Sequence, residues 1–264
     1  MKKTQLLIID PQVDFCEPTG ALFVPGANED SKRLGAMISR SKDMLDDIRV
    51  TLDSHQPVHI AHPIAWVDKD GNNPAPFTVI GLADVEGRDA KWTSANPAWR
   101  QRFINYVKAL ADGGRYVLCI WPPHCLISTV GATVTAPIGE ALREWQDTFA
   151  MVDFVTKGSN PFTEHYSVVR ADVVDPTDPT TDINMGFIRR LQEADEILVG
   201  GQALSHCVAN SITDIAKEFG SEHTKKIVIL EDACSAVPGF ESMADDFMKS
   251  AKDLGIRFAK TTDF

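Results

Sequence analysis

The chain has 264 residues, 44% of them hydrophobic, and a formal net charge of −11 at pH 7. That length fits one large α/β domain or two small ones, and the apolar content supplies a sizeable core. The acidic balance argues against nucleic acid or an anionic membrane surface as partner, and the charge is otherwise dispersed as on a soluble surface. The five cysteines, Cys16, Cys119, Cys125, Cys207 and Cys234, form an odd set without CxxC spacing. The apolar run that opens the N-terminus breaks at Asp10-Pro11, too early for a signal peptide. No segment approaches the length of a membrane span. A reduced, cytoplasmic protein is expected, its cysteines packing residues or catalysts rather than staples.

Leu6 to Ile9 reads as a first buried strand, ended by Pro11, which puts Asp10 at its carboxyl end. Alone, Asp10 reads more simply as a turn or cap residue. A helix is expected from about Asn28 to Ile48, with Ala36, Ile38, Met44, Leu45 and Ile48 as its apolar face. Val50 to Leu52 is a second strand, followed by Asp53-Ser54-His55. In extended chain residues i and i+2 face the same side, so Asp53 and His55 converge. A carboxylate with an imidazole suits zinc or a similar divalent ion, although an isolated Asp-x-His is a common chance match. His59 and His62 follow closely and either assist or hydrogen-bond within the loop.

From Pro63 to Ala98 the chain is rich in Gly, Pro, Asn and Asp, yet carries Trp66, Phe77 and Trp92. Large rings need burial, so this is an ordered excursion and not a linker. A helix at Pro97 to Ala111 and a strand at Tyr116 to Ile120 lead into Trp121-Pro122-Pro123-His124-Cys125. The two prolines stiffen the chain and hold His124 at the strand end, as a third ligand or as a histidine bonded within a turn.

A helix over Ala136 to Phe149 and a strand over Val152 to Val155 bring the chain to Thr156-Lys157-Gly158. A lysine there is ordinarily solvated surface. Ser159 to Asp182 is loop-like, and Asn184 to Gln192 a short helix.

Glu196 to Val199 is a buried strand stopped by Gly200-Gly201, and from Ser205 onward Val208, Ile212, Ile215 and Ala216 fall at helical spacing. Cys207 therefore sits where a strand hands over to a helix N-terminus. The unpaired N–H groups and helix dipole there favour thiolate over thiol, whereas a free cysteine elsewhere is usually a small buried hydrophobe. A strand at Lys226 to Leu230, a helix at Phe240 to Leu254 and a strand at Arg257 to Ala259 complete the chain.

Strands and helices alternate throughout, the pattern of a parallel sheet covered on both faces. One domain over 1–264 is expected, with long insertions at about 63–114 and 159–184. Asp10, Asp53, His55, His124, Lys157 and Cys207 come from five separate strand ends. In an open parallel sheet, ligands bind at those carboxyl ends, near a switch in strand order. An acid, a lysine and a cysteine meeting there are expected to form one catalytic group beside a metal.

The segments LLIIDPQVDFC, LDSH, WPPHC, TKG and LVGGQALSHCVANSI resemble the cysteine hydrolases of the isochorismatase-like superfamily, nicotinamidases in particular. The resemblance runs in order from Leu6 to about Ser235. It implies a three-layer α/β/α fold around a mainly parallel sheet, and a Cys-Asp-Lys triad on Cys207, Asp10 and Lys157. It implies metal ligands at Asp53, His55 and His124 for a divalent ion: zinc, or iron or manganese. A cis peptide at Gln202–Ala203, an oxyanion hole from the N–H groups of Ala203 and Cys207, and a ring sandwich of Phe15 and Trp121 complete the implied site. The activity implied is hydrolysis of nicotinamide to nicotinate and ammonia through a thioester. A related hydrolase of another small amide or ureido compound is the alternative within enzymes, and a non-catalytic ligand-binding scaffold the alternative outside them. The partners expected are a small-molecule amide and a second copy of the chain, with neither nucleic acid nor membrane.

Overall fold

Strand β1 (Thr4–Ile9) is buried along its whole length, and its side chains divide by alternation between two cores. Leu6 and Ile8 enter one apolar cluster, Leu7 and Ile9 the other, as expected for a strand covered on both faces. The computed structural model describes residues 2–113 and 115–264. Around β1 lie β2 (Asp47–Asp53), β3 (Asp153–Lys157), β4 (Glu196–Gly201), β5 (Ile227–Leu230) and β6 (Arg257–Ala259). They form one six-stranded sheet in the order β6-β5-β4-β1-β2-β3, every neighbouring pair parallel.

The principal helices are α1 (Ala27–Arg40), α2 (Arg100–Gly113), α3 (Ala136–Gln146), α4 (Met185–Gln192), α5 (Ala209–Phe219) and α6 (Glu241–Asp253). Leu34, Met37 and Ile38 of α1 and Ile138, Leu142 and Trp145 of α3 pack on the face holding Leu6 and Ile8. Phe103, Phe187, Ile212 and Phe247, one from each remaining helix, join Leu7 and Ile9 on the other. The result is the expected three-layer α/β/α arrangement. From β1 the chain runs outward to β2 on one side, while β4 flanks it on the other. This switch in strand order opens a crevice at the carboxyl ends of β1 and β4.

Three expected elements need correction. The first helix ends at Arg40, not near Ile48. Ile48 lies in β2, paired with Leu6, because burial beside β1 outweighs the apparent helical spacing of Met44, Leu45 and Ile48. The strand expected at Tyr116 to Ile120 shrinks to Leu118–Cys119 and pairs antiparallel with Val79–Ile80, outside the main sheet. Prolines 122 and 123 cannot donate to a ladder, and Ile120 bonds back into the excursion through Thr78 O and Phe77 N. His124 therefore comes from a separate ribbon and not from the sheet rim. Finally, Lys157 is the last residue of β3 and is buried, not a solvated residue beyond it.

Gly201 marks the tightest approach within the sheet. Its φ is +120°, and a Cβ there would stand 2.0 Å from the Ile9 carbonyl oxygen, so only glycine lets β4 end against β1. All five cysteines are buried and unpaired. Among the described residues no helix is long and apolar enough to cross a membrane.

Candidate active site

Asp10 leaves β1 with φ of +44°, a left-handed conformation uncommon for a residue with a side chain. Thr51 of β2 holds it there: the Thr51 hydroxyl accepts from Asp10 N at 3.0 Å and donates to Asp10 Oδ1 at 2.5 Å. The end of β2 is fixed by Gln12, whose amide donates to Asp53 O and accepts from Asp53 N, both at 2.7 Å. Register then places Lys157 beside Asp53 across the β2–β3 pair.

These arrangements bring four of the expected residues together. Lys157 Nζ lies 2.9 Å from Asp10 Oδ2, 3.2 Å from Asp53 Oδ1 and 3.6 Å from Cys207 Sγ. Lys157, Asp10 and Asp53 are no more than 3% exposed, and Cys207 is 6% exposed. The two carboxylate oxygens facing the ammonium lack a hydrogen bond of favourable angle, so these contacts are ionic more than directional.

Burial disfavours the Lys157 ammonium, but Asp10 and Asp53 outweigh it and raise its pKa well above the usual value. Asp53 shows the opposite balance: burial favours its neutral form, and His55 and Lys157 hold it ionised far below the ordinary range. Asp10 is raised, by burial first and then by the nearby Asp53 charge, despite Lys157. The Cys207 thiol is raised well above its usual value by burial, which Lys157 only partly offsets. This corrects the expectation of a resting thiolate. Cys207 sits in a π-turn, Leu204–Val208, two residues ahead of α5, and desolvation exceeds any gain from the helix terminus.

The Gln202–Ala203 peptide is cis. Its position is set from below by Asp30 of α1, a buried carboxylate. Asp30 Oδ2 accepts from Gln202 Nε2 at 2.9 Å and from the Ser235 hydroxyl at 2.6 Å. Gln202 Oε1 in turn accepts from Ser235 N at 3.2 Å. Among the described residues no acceptor takes the Ala203 N–H.

Beside this group stand four buried histidines. His55 Nδ1 donates to Gly158 O, His62 Nδ1 to Pro57 O and His124 Nδ1 to Pro122 O, at 2.8–3.2 Å. A carbonyl only accepts, so each Nδ1 carries a proton and Nε2 is the ring nitrogen left for another partner. For His55 and His124 that nitrogen faces Asp53 Oδ2, at 3.0 and 3.5 Å. Imidazole nitrogens this close to one carboxylate oxygen are bridged by a proton or by a cation that all three ligate. The ligand atoms of Asp53, His55 and His124 all lie within 4.8 Å of one another, as do those of His55, His59 and His62. His59 spends both nitrogens, donating from Nε2 to Thr163 O and accepting at Nδ1 from Ala61 N. His62 Nε2 is buried without a partner, so His62, not His59, is the spare donor.

The pocket beside Cys207 is lined by Phe15, Trp121, Tyr166 and His206, with Glu164 and Ala203. Phe15 and Trp121, the expected ring sandwich, thus both reach it. Trp121 Nε1 donates to the Tyr166 hydroxyl at 2.8 Å, and the His206 ring meets Trp121 edge-on with centroids 5.1 Å apart. Sequence reasoning did not single out Thr51, Gln12, Asp30, Glu164, Tyr166 or His206. Thr51 shares a strand face with Asp53 at i−2, a signal that was present. Glu164 and Tyr166 lie in an irregular stretch without any period to read.

Burial lowers the pKa of His206 to about 4 and, with Lys157, that of His165 to about 3. The unfolded chain therefore binds these protons first, so stability is complete above about pH 6.5 and falls with acid until the folded-state values are passed. Urea unfolding at pH 7 and pH 5 should differ by on the order of 2 kcal/mol per histidine. A flat profile over that interval would show that both rings protonate freely in the fold.

No protein-family model and no curated protein matches the chain. Solved structures do. A yeast nicotinamidase superposes with a TM-score of 0.66 at 18% identity, covering 97% of this chain and 99% of that one. A nicotinamidase/pyrazinamidase of Acinetobacter baumanii gives 0.66 at 19%, covering 100% and 98%. A pyrazinamidase of Pyrococcus horikoshii, solved in complex with zinc, gives 0.58 at 18%, covering 98% and 99%. At these identities the likeness establishes a shared fold.

Proposed function

We propose that this chain is a cysteine amidohydrolase acting on small planar carboxamides, with nicotinamide the first substrate to test, and that 1–264 works as one catalytic domain. The observation that carries the reading is the buried Lys157 ammonium in contact with Asp10, Asp53 and Cys207, the last two of which line an aromatic-walled pocket. Three ionisable groups and a thiol sealed together without solvent are expensive for a scaffold and useful to an enzyme.

Asp10 accepts the Cys207 proton. A buried thiol is a weak acid, and a carboxylate whose own pKa is raised is a correspondingly stronger base for it. Lys157 stays charged throughout and stabilises the thiolate as it forms. The sulfur attacks the amide carbon, and the N–H groups of Ala203 and Cys207 receive the developing oxyanion. Protonated Asp10 returns its proton to the nitrogen, the C–N bond breaks, and ammonia leaves behind a thioester. Water, deprotonated by Asp10, then attacks the same carbon; the acid departs and the thiol is restored.

The donor set fits a divalent metal. Asp53, His55 and His124 would hold it, each imidazole already oriented by its backbone carbonyl. When bound, such an ion, zinc by its one-carboxylate, two-imidazole preference, supplies a Lewis acid that orients polar groups in the pocket. Phe15 and Trp121 confine the ring of the substrate.

The direct test is ammonia release from nicotinamide by the zinc-loaded protein, with rapid acid quenching and mass analysis of the Cys207 peptide. An acyl adduct of nicotinoyl mass on that peptide is expected. Ammonia release with no adduct under any quench time would leave the thioester route without support.

A further inference from the structure

Glu164 lines the pocket wall with a carboxylate that the reaction above does not use. It is 3% exposed and faces the same cavity as Cys207, Trp121 and His206. Its Oε1 accepts the His165 N–H at 2.9 Å. Among the described residues no side chain donates to the carboxylate, and no lysine or arginine pairs with it. The other oxygen has no protein donor among the described residues and is not sealed away from the pocket, so a ligand that displaces solvent there either brings a donor or leaves the carboxylate unpaired.

The Ser205 hydroxyl accepts from Val237 N and shares a hydrogen bond of 2.9 Å with His206 Nδ1. That contact occupies Nδ1 and leaves Nε2 as the His206 nitrogen available to the pocket that Glu164 also lines. A carboxylate and an imidazole that the reaction does not use thus share aromatic walls with Cys207.

We propose that Glu164 is a specificity-determining residue, selecting planar carboxamides that carry an N–H donor on the ring, away from the scissile amide. This rests on the amide-hydrolysis reading above and deepens it. A carboxylate left unpaired by a ring lacking the donor penalises that ring, the asymmetry by which polar pockets discriminate most strongly.

The test compares ring-amino with ring-methyl nicotinamides, matched in shape and taken position by position, on zinc-loaded wild-type and Glu164→Gln proteins. At one ring position wild type should favour amino over methyl by about tenfold or more in kcat/KM, mainly through KM. Glu164→Gln keeps the His165 contact available and should bring that ratio to within about threefold, with zinc content unchanged. Binding of the same pairs to Cys207→Ala, measured by calorimetry, reads the preference without turnover. Hydrolysis with no amino preference at any position overturns the inference and leaves amide hydrolysis standing. Binding preference without hydrolysis does the reverse. A preference that survives in Glu164→Gln, or a loss of zinc in that variant in place of a specificity change, assigns Glu164 to metal support and also overturns it.

Discussion

Replacing Cys207 by alanine is expected to lower nicotinamide turnover by about 10⁴-fold or more while changing unfolding free energy by no more than about 1–2 kcal/mol. The sulfur is the only atom lost, and the turn that carries it is held elsewhere: Val208 N reaches back to Ala203 O, Gln202 N bonds Ile9 O, and Asp30 ties down Gln202. Substrate should still bind, because the rings of Phe15 and Trp121 and the Asp53–His124 side of the pocket are untouched. A loss confined to kcat is therefore the signature of a group acting on the reacting carbon. Turnover within tenfold of wild type would remove the nucleophile from the proposal, and with it the thioester.

Lys157→Met should be the most damaging single change. It leaves Asp10 and Asp53, which now share one ammonium, buried opposite a thioether. Removing one partner of a buried ion pair costs about 3–5 kcal/mol, and here two anions lose the same cation. Asp10, already raised by burial and by Asp53, is the carboxyl expected to take up a proton. That disables it as a base, so activity should fall by about 10³-fold or more even where the protein stays folded. Adding Asp10→Asn to Lys157→Met relieves one uncompensated carboxyl, so the double variant should regain part of the stability and none of the activity. Equilibrium unfolding of both single variants and the pair measures that coupling. Strict additivity would mean that the 2.9 Å contact between Lys157 and Asp10 carries no energetic weight.

The parallel sheet and the positions of Asp10 and Cys207 were legible because each residue follows a short apolar run closed by proline or glycine, and Asp53 and His55 because they alternate at i and i+2 after another such run. The cis peptide at Gln202–Ala203 came from the resemblance, not from periodicity. Other features depend on contacts distant in sequence. Nothing near Lys157 announces its burial; it follows from β3 pairing with β2 in a register that opposes Lys157 to Asp53. Ile48 looked helical because Met44 and Leu45 precede it at the right spacing, and only its pairing with Leu6 resolves the ambiguity. Asp30 seemed an ordinary first-turn acid, yet it accepts hydrogen bonds from residues 172 and 205 positions away. The resting state of the thiol was misjudged for a related reason. Sequence shows the helix that follows Cys207 but not the depth at which the sulfur is sealed.

One further consequence follows from strand order. Lys157 rides on β3, the outermost strand on its side of the sheet, bonded to a neighbour along one edge only. Border strands are among the first to fray. Brief detachment of that margin would carry the ammonium away from Asp10 and the thiol while the interior stayed intact, so the enzyme would fall silent under mild stress well before the molecule as a whole came apart.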